Sequence, residues 1–168
     1  MTLSSTKLDL KIQSLQTNPL DLVTGSAPLK YAKSMALGSG AGLNQADRMW
    51  TDQRTLGASG TENLDLAGAL VDAFGATVTF ARIKLVVVTA AAANTNNVNF
   101  IRESTNGVPL FLALGDGIPV KPGGGFAWWA PDAAGIVVTA ATGDLLTVTN
   151  AGAGTSVTYD IVVIGAAT

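Results

Sequence analysis

Apolar and polar positions alternate in two different ways along this chain. In "KLDLKIQSL" (7–15), Leu8, Leu10 and Ile12 alternate with Lys7, Asp9 and Lys11. A period of two with charges on one side predicts a half-buried strand. "NPLDLVTG" (18–25) reads as a turn followed by a short apolar strand. "APLKYAKSMALGSGAG" (27–42) fits either an extended segment or a helix within 29–37, and its glycines mark a loop. "NQADRMWTDQR" (44–54) reads as a polar connector.

From about residue 56 the text turns into short apolar runs punctuated by Gly, Asn, Asp and Pro, the pattern of an all-β fold. Strands are predicted at "ENLDL" (62–66), "ATVTFARIKLVVV" (76–88), "VNFI" (98–101), "VPLFLAL" (108–114) and "IPVKP" (118–122). Three more follow at "GIVVTA" (135–140), "DLLTVTN" (144–150) and "SVTYDIVVIG" (156–165), joined by hairpin-type turns rich in Gly and Asn. "AGALVDAFG" (67–75) reads as a loop or crossover. The 76–88 run changes phase: Val78 and Phe80 share one parity, Ile83, Leu85 and Val87 the other. A bulge near residues 81–82 would keep them all inward, or the strand changes environment halfway. The expected fold is an antiparallel two-sheet β-sandwich, jelly-roll-like, with an extended N-terminal arm. Residues 1–55 form the arm and connector, integrated in part into the sandwich or docked on neighbours, and residues 56–168 form the sandwich.

"PGGGFAWWAP" (122–131) sets two of the three tryptophans side by side. Neighbours in a strand point to opposite faces, so Trp128 joins Phe126 towards the core while Trp129 points away from it. Trp129 is then an interface residue, an ordinary packing residue or a ligand platform. "DRMWTDQR" (47–54) is either a solvated turn or a docking segment, in which Arg48, Trp50 and Arg54 would carry the contact. Leu8, Leu10 and Ile12 complete the candidate interface, because an extended segment there could pair with another chain.

Composition narrows the chemistry. Only 13% of the 168 residues are charged, against roughly 25% in an average soluble domain. That deficit suggests a surface covered by other subunits, or a compact monomer with a Thr/Asn/Ser surface. The net charge of −2, without a basic block, argues against a nucleic-acid partner. The longest apolar stretch, "LVVVTAAAA" (85–93), is too short to cross a membrane as a helix, and the opening residues lack the apolar core of a signal peptide. With no cysteine and no histidine, the usual triads and thiolate or zinc sites are unavailable. No catalytic, cofactor or metal residue is assigned. "GSGAG" lacks the remainder of a phosphate loop, and the acids at "GDG" (115–117), Asp132 and Asp144 read as turn residues while Asp160 sits in a strand.

The stretches "NQADRMWTDQRTL" (44–56), "DLAGALVDAFGATVTFARIK" (65–84) and the run from "PGGGFAWWAP" to "YDIVVIG" (159–165) resemble a group of tailed-bacteriophage head decoration, or cement, proteins. The resemblance covers about residues 44–165, more loosely the segment before it. In that group the segment after PGG is apolar but need not be Trp-Trp. The resemblance implies a jelly-roll-like sandwich that binds the outside of a mature capsid, with the major capsid protein as partner and self-association as a dimer or trimer. It also implies a virion location after synthesis in the host cytoplasm. Two other readings stay open: a phage tail, fibre or other virion domain binding host glycans, and a soluble carbohydrate-binding module.

Overall fold

The computed structural model describes residues 3–168. The protein is all-β, built from several sheets that are antiparallel in nearly every pairing. Strands β1 (Ser5–Pro19) and β2 (Thr24–Ser39) form one long hairpin, paired from Ser5 opposite Gly38 to Pro19 opposite Thr24. Strand β3 (Gln45–Ala46) runs parallel beside the end of β2, followed by β4 (Arg48–Leu56) and β5 (Thr61–Asp65). The small hairpin of β6 (Leu70–Val71) and β7 (Thr77–Val78) lies in the connection to β8 (Arg82–Ala90). Then come β9 (Val98–Arg102), β10 (Gly117–Val120), β11 (Gly125–Trp129), β12 (Ile136–Val137), β13 (Leu145–Asn150) and β14 (Val157–Ala166).

Two principal sheets face each other as a sandwich. The first has the order β11-β8-β14-β4, with β12 also on β8, and the second β10-β9-β13-β5. Their inner faces share one apolar core. Trp50, Val86, Val88, Tyr159, Ile161 and Val163 come from the first sheet; Leu64, Phe100, Leu146 and Val148 come from the second. The rings of Phe100 and Tyr159 meet edge to face at 5.3 Å, and Phe126 adds a second such contact to Phe100 at 5.7 Å.

A smaller cluster lies on the outer face of the first sheet. Leu85 and Ile164 pack there with Met35 and Leu37 from β2 and Ala46 from β3, and Leu8, Val87, Trp129 and Val162 border them. The base of the β1–β2 hairpin is therefore a third layer over the sandwich.

The structure corrects several expectations. Residues 29–37 are strand, because a register of fifteen pairs with β1 outweighs the helical preference of Ala, Lys, Met and Leu. The connector at 44–54 is mostly β4, which pairs with β14 from Arg48 to Leu56, so the sandwich begins before residue 56. "VPLFLAL" is not a strand: Arg102 takes the carbonyls of Phe111 and Leu112, at 3.1 and 2.7 Å, and ties this segment into a loop. The run 76–88 is broken between β7 and β8. Its bulge lies at Lys84, since Ile164 faces Leu85 while Gly165 faces Ile83. Ile83, Val86 and Val88 thereby face the main core, and Leu85 and Val87 turn outward to the smaller cluster.

The glycines of "PGGGF" now have a physical reason. Gly123 sits at φ +72°, and a Cβ on Gly125 would collide with the Val88 carbonyl as β11 closes on β8.

Candidate interaction surface

Partners directly opposite in an antiparallel pair project to the same face. The pairs Leu8–Met35, Leu10–Lys33, Ile12–Tyr31 and Ser14–Leu29 thus share one face of the hairpin. Lys7–Ala36, Asp9–Ser34, Lys11–Ala32 and Gln13–Lys30 share the other. The hairpin is an amphipathic ribbon of fifteen residue pairs and so roughly 50 Å long. On the polar face, hydrogen bonds from Lys7 and Ser34 hold the Asp9 carboxyl below its ordinary pKa.

The apolar face is covered only at its base. Leu37 and Met35 are buried against the sandwich and Leu8 is half-buried, whereas further along the same row Ile12, Tyr31 and Leu29 are 47%, 48% and 51% exposed. At the tip the backbone N–H of Leu20 donates to the Val23 carbonyl, and Leu22 is 96% exposed.

The body has two unlike ends. Tracing the strands places the connections 57–60, 91–97, 121–124 and 151–156 at one end. These are Gly, Ala, Asn, Thr and Ser with one Lys and one Pro, and they are locked by side-chain bonds. Asn94 Nδ2 donates to the Thr158 carbonyl at 2.8 Å, and its Oδ1 accepts the Thr158 N–H at 2.9 Å. Asn150 Nδ2 donates to the carbonyls of Gly57 and Thr155. The hairpin base and the connections 66–81, 103–116 and 130–144 lie at the opposite end. Most of the exposed large apolar side chains of the body gather there: Leu43, Met49, Val71, Phe74, Leu112, Leu114 and Val137, while Ile118 lies on the edge strand β10.

A groove of about 330 Å³ opens at that end between the start of β4 and the β6–β7 turn, lined by Leu3, Met49, Phe74 and Val78 with Asp47, Arg48 and Asp72. Asp72 Oδ1 accepts the N–H groups of Phe74 and Ala76, which fixes the turn that presents Phe74. Arg48 leans on Asp47, 3.6 Å from its carboxylate and donating to its carbonyl.

The candidate residues separate under this geometry. Trp50 is 2% exposed in the main core, so its ring is not presented to a partner; its strand belongs to the sandwich. Arg54 is held within the chain, donating from Nε to Glu62 Oε2 at 2.7 Å and from Nη1 to Asp52 at 2.9 Å. Those carboxylates raise its pKa further, Glu62 most. Trp128 packs towards the main core with Phe126, and Trp129 projects the other way. Trp129 packs against the smaller cluster that the hairpin base forms with Leu85 and Ile164, which leaves it half-buried. Leu10, Ile12 and Arg48 remain at the surface or on the groove wall, and Leu8 marks where the ribbon leaves the body.

The acids at turns act as backbone caps. Asp116, Asp132 and Asp144 accept N–H groups of Ala113, Gly135 and Ala141, and the Gly135 bond chiefly lowers the Asp132 pKa. Among the described residues, no group of three or more His, Cys, Asp or Glu is placed to hold a metal ion, and no helix is long and apolar enough to cross a membrane. Sequence reasoning missed Phe74, Val71 and Leu22; the one signal for Phe74 and Leu22 was a large apolar residue inside a turn, and Val71 lies in the short strand β6. No family model matches the chain, and neither a curated protein nor a solved structure matches it significantly.

Proposed function

We propose that this chain is a structural virion protein that decorates the outer surface of a phage capsid and stabilises contacts between its capsomers. The single observation that carries the reading is the contrast between its ends: exposed apolar side chains gather where the ribbon emerges, while the far end is polar and internally bonded. A protein that lies on a shell needs one adhesive end and one that tolerates solvent. The resemblance in sequence supplies the identity of the shell. We also read the sandwich as a jelly roll, because β4, β5, β8, β9, β10, β11, β13 and β14 follow the two-sheet, double Greek-key order of that fold.

A binder that touches several subunits stabilises the expanded shell by mass action and multivalency. The glycan readings draw less support from Trp129, which is half-buried against the chain's own smaller cluster. The test is to count copies per virion by mass spectrometry, then strip the protein and heat the heads. Hundreds of copies and a lower rupture temperature after stripping are expected. A few copies per particle, or heads that lose nothing, would defeat the reading.

A further inference from the structure

We propose that the uncovered outer half of the ribbon's apolar face docks on the body of a second copy of this chain, in the groove between β4 and the β6–β7 turn. The inference does not depend on the capsid reading. It starts from a row of side chains that is continuous but unequally covered. Leu37, Met35 and Leu8 use this face to pack on the first sheet, and the next positions outward, Leu10, Ile12, Tyr31 and Leu29, carry the same chemistry with nothing over them. A two-stranded ribbon is marginal in water by itself, so the outer half requires a cover.

Charge selects the cover. Four lysines against two aspartates give residues 3–39 a charge of +2, and with the whole chain at −2 the remainder carries −4. Ribbon against ribbon would set +2 against +2 and bring Lys33, which shares the apolar face, close to its own copy. Ribbon against body sets opposite signs together. The groove matches the ribbon in kind. Met49 and Phe74, both exposed, offer apolar contact for Ile12, Tyr31 and Leu29, and Asp72 offers a carboxylate for Lys33. Among the described residues no cation pairs with Asp72. Such a contact joins unlike surfaces, so it closes by reciprocal exchange in a two-fold pair or around a small ring.

The test uses the purified full chain without phage heads, so its failure is separate from failure of the capsid reading. Light scattering coupled to size exclusion should show an oligomer. A ribbon variant, Ile12→Asp with Tyr31→Asp, and a groove variant, Phe74→Asp, should each be monomeric; all three positions are exposed within the chain, and unchanged circular dichroism confirms that the variants fold. The decisive sample is an equimolar mixture. The ribbon variant keeps an intact groove and the groove variant an intact ribbon, so the mixture should regain a dimer containing one of each. A monomeric wild type, an oligomeric Phe74→Asp variant, or a mixture that stays monomeric would each overturn the proposal.

Discussion

Glu62 reaches across the open side of the sandwich. From β5 in the second sheet it accepts the Tyr159 hydroxyl at 2.7 Å through Oε1 and Arg54 of the first sheet through Oε2. Burial and the Glu62 carboxylate both raise the Tyr159 pKa, so the phenol stays a neutral donor. Glu62→Ala would strand the buried Tyr159 hydroxyl and leave Arg54 with Asp52 as its one carboxylate, and should cost about 2 kcal/mol, measured by urea unfolding. Lys84, the extra residue of the β8 bulge, is fully buried and donates its amine to the Asp132 carbonyl. Burial lowers its pKa below the ordinary 10.5. Between the lowered folded value and 10.5 the unfolded chain holds a proton that the folded chain does not, so stability rises with pH through that window. Wild type should therefore gain stability relative to Lys84→Met as pH goes from 7 towards 10, read as the difference between their urea midpoints. The position of that bulge was not legible in the sequence. Apolar parity places the change of phase between Phe80 and Ile83 and would keep Leu85 and Val87 inward, whereas the pairing of Ile164 with Leu85 and of Gly165 with Ile83 puts the bulge at Lys84 and turns those two outward.

Among elements, the strands read most surely were those whose alternation and bounding turns agree, β5, β13 and β14. β2 was ambiguous because Ala, Lys, Met and Leu also suit a helix, and its register with β1 is not a local property of the text. The segment 108–114 has the apolarity of a strand but gives the carbonyls of Phe111 and Leu112 to Arg102, and an arginine's choice of acceptor leaves no mark in an apolar pattern. The outward direction of Trp129 was legible from strand parity, whereas the cluster it packs against includes Met35 and Leu37, some ninety positions earlier. Along the hairpin the two halves should respond differently to truncation. Leu37→Ala, at the buried base, should lower stability by about 2–4 kcal/mol. Leu29→Ala, on the open half, should leave the thermal unfolding of the dilute chain within about 0.5 kcal/mol of wild type while weakening association.

For the whole molecule, the layers separate folding from attachment. The sandwich is closed by its own core, and the ribbon adds to it only through the base. Excising residues 9–34 and joining Leu8 to Met35, which already face each other, through an Asn-Gly turn should leave a folded body. The shortened chain should keep a cooperative thermal transition but lose self-association, measured by calorimetry and by light scattering. The all-β class could be read from the spacing of turns. The unlike ends of the body could not, because they emerge only when connections far apart in sequence are brought to the same side.

The place of β14 between β8 and β4 has a consequence for how the chain is made. β14 follows every other strand in chain order, yet it fills the middle of the first sheet and supplies Tyr159, Ile161 and Val163 to the core. During synthesis β4 and β8 must therefore emerge and wait, with apolar inner faces and a vacant edge each, until the final strand leaves the ribosome. Such long-range closure is slow and exposes sticky intermediates. Refolding of the chain from urea should accordingly be slow and lose more protein to aggregation as its concentration rises, read by stopped-flow fluorescence and light scattering.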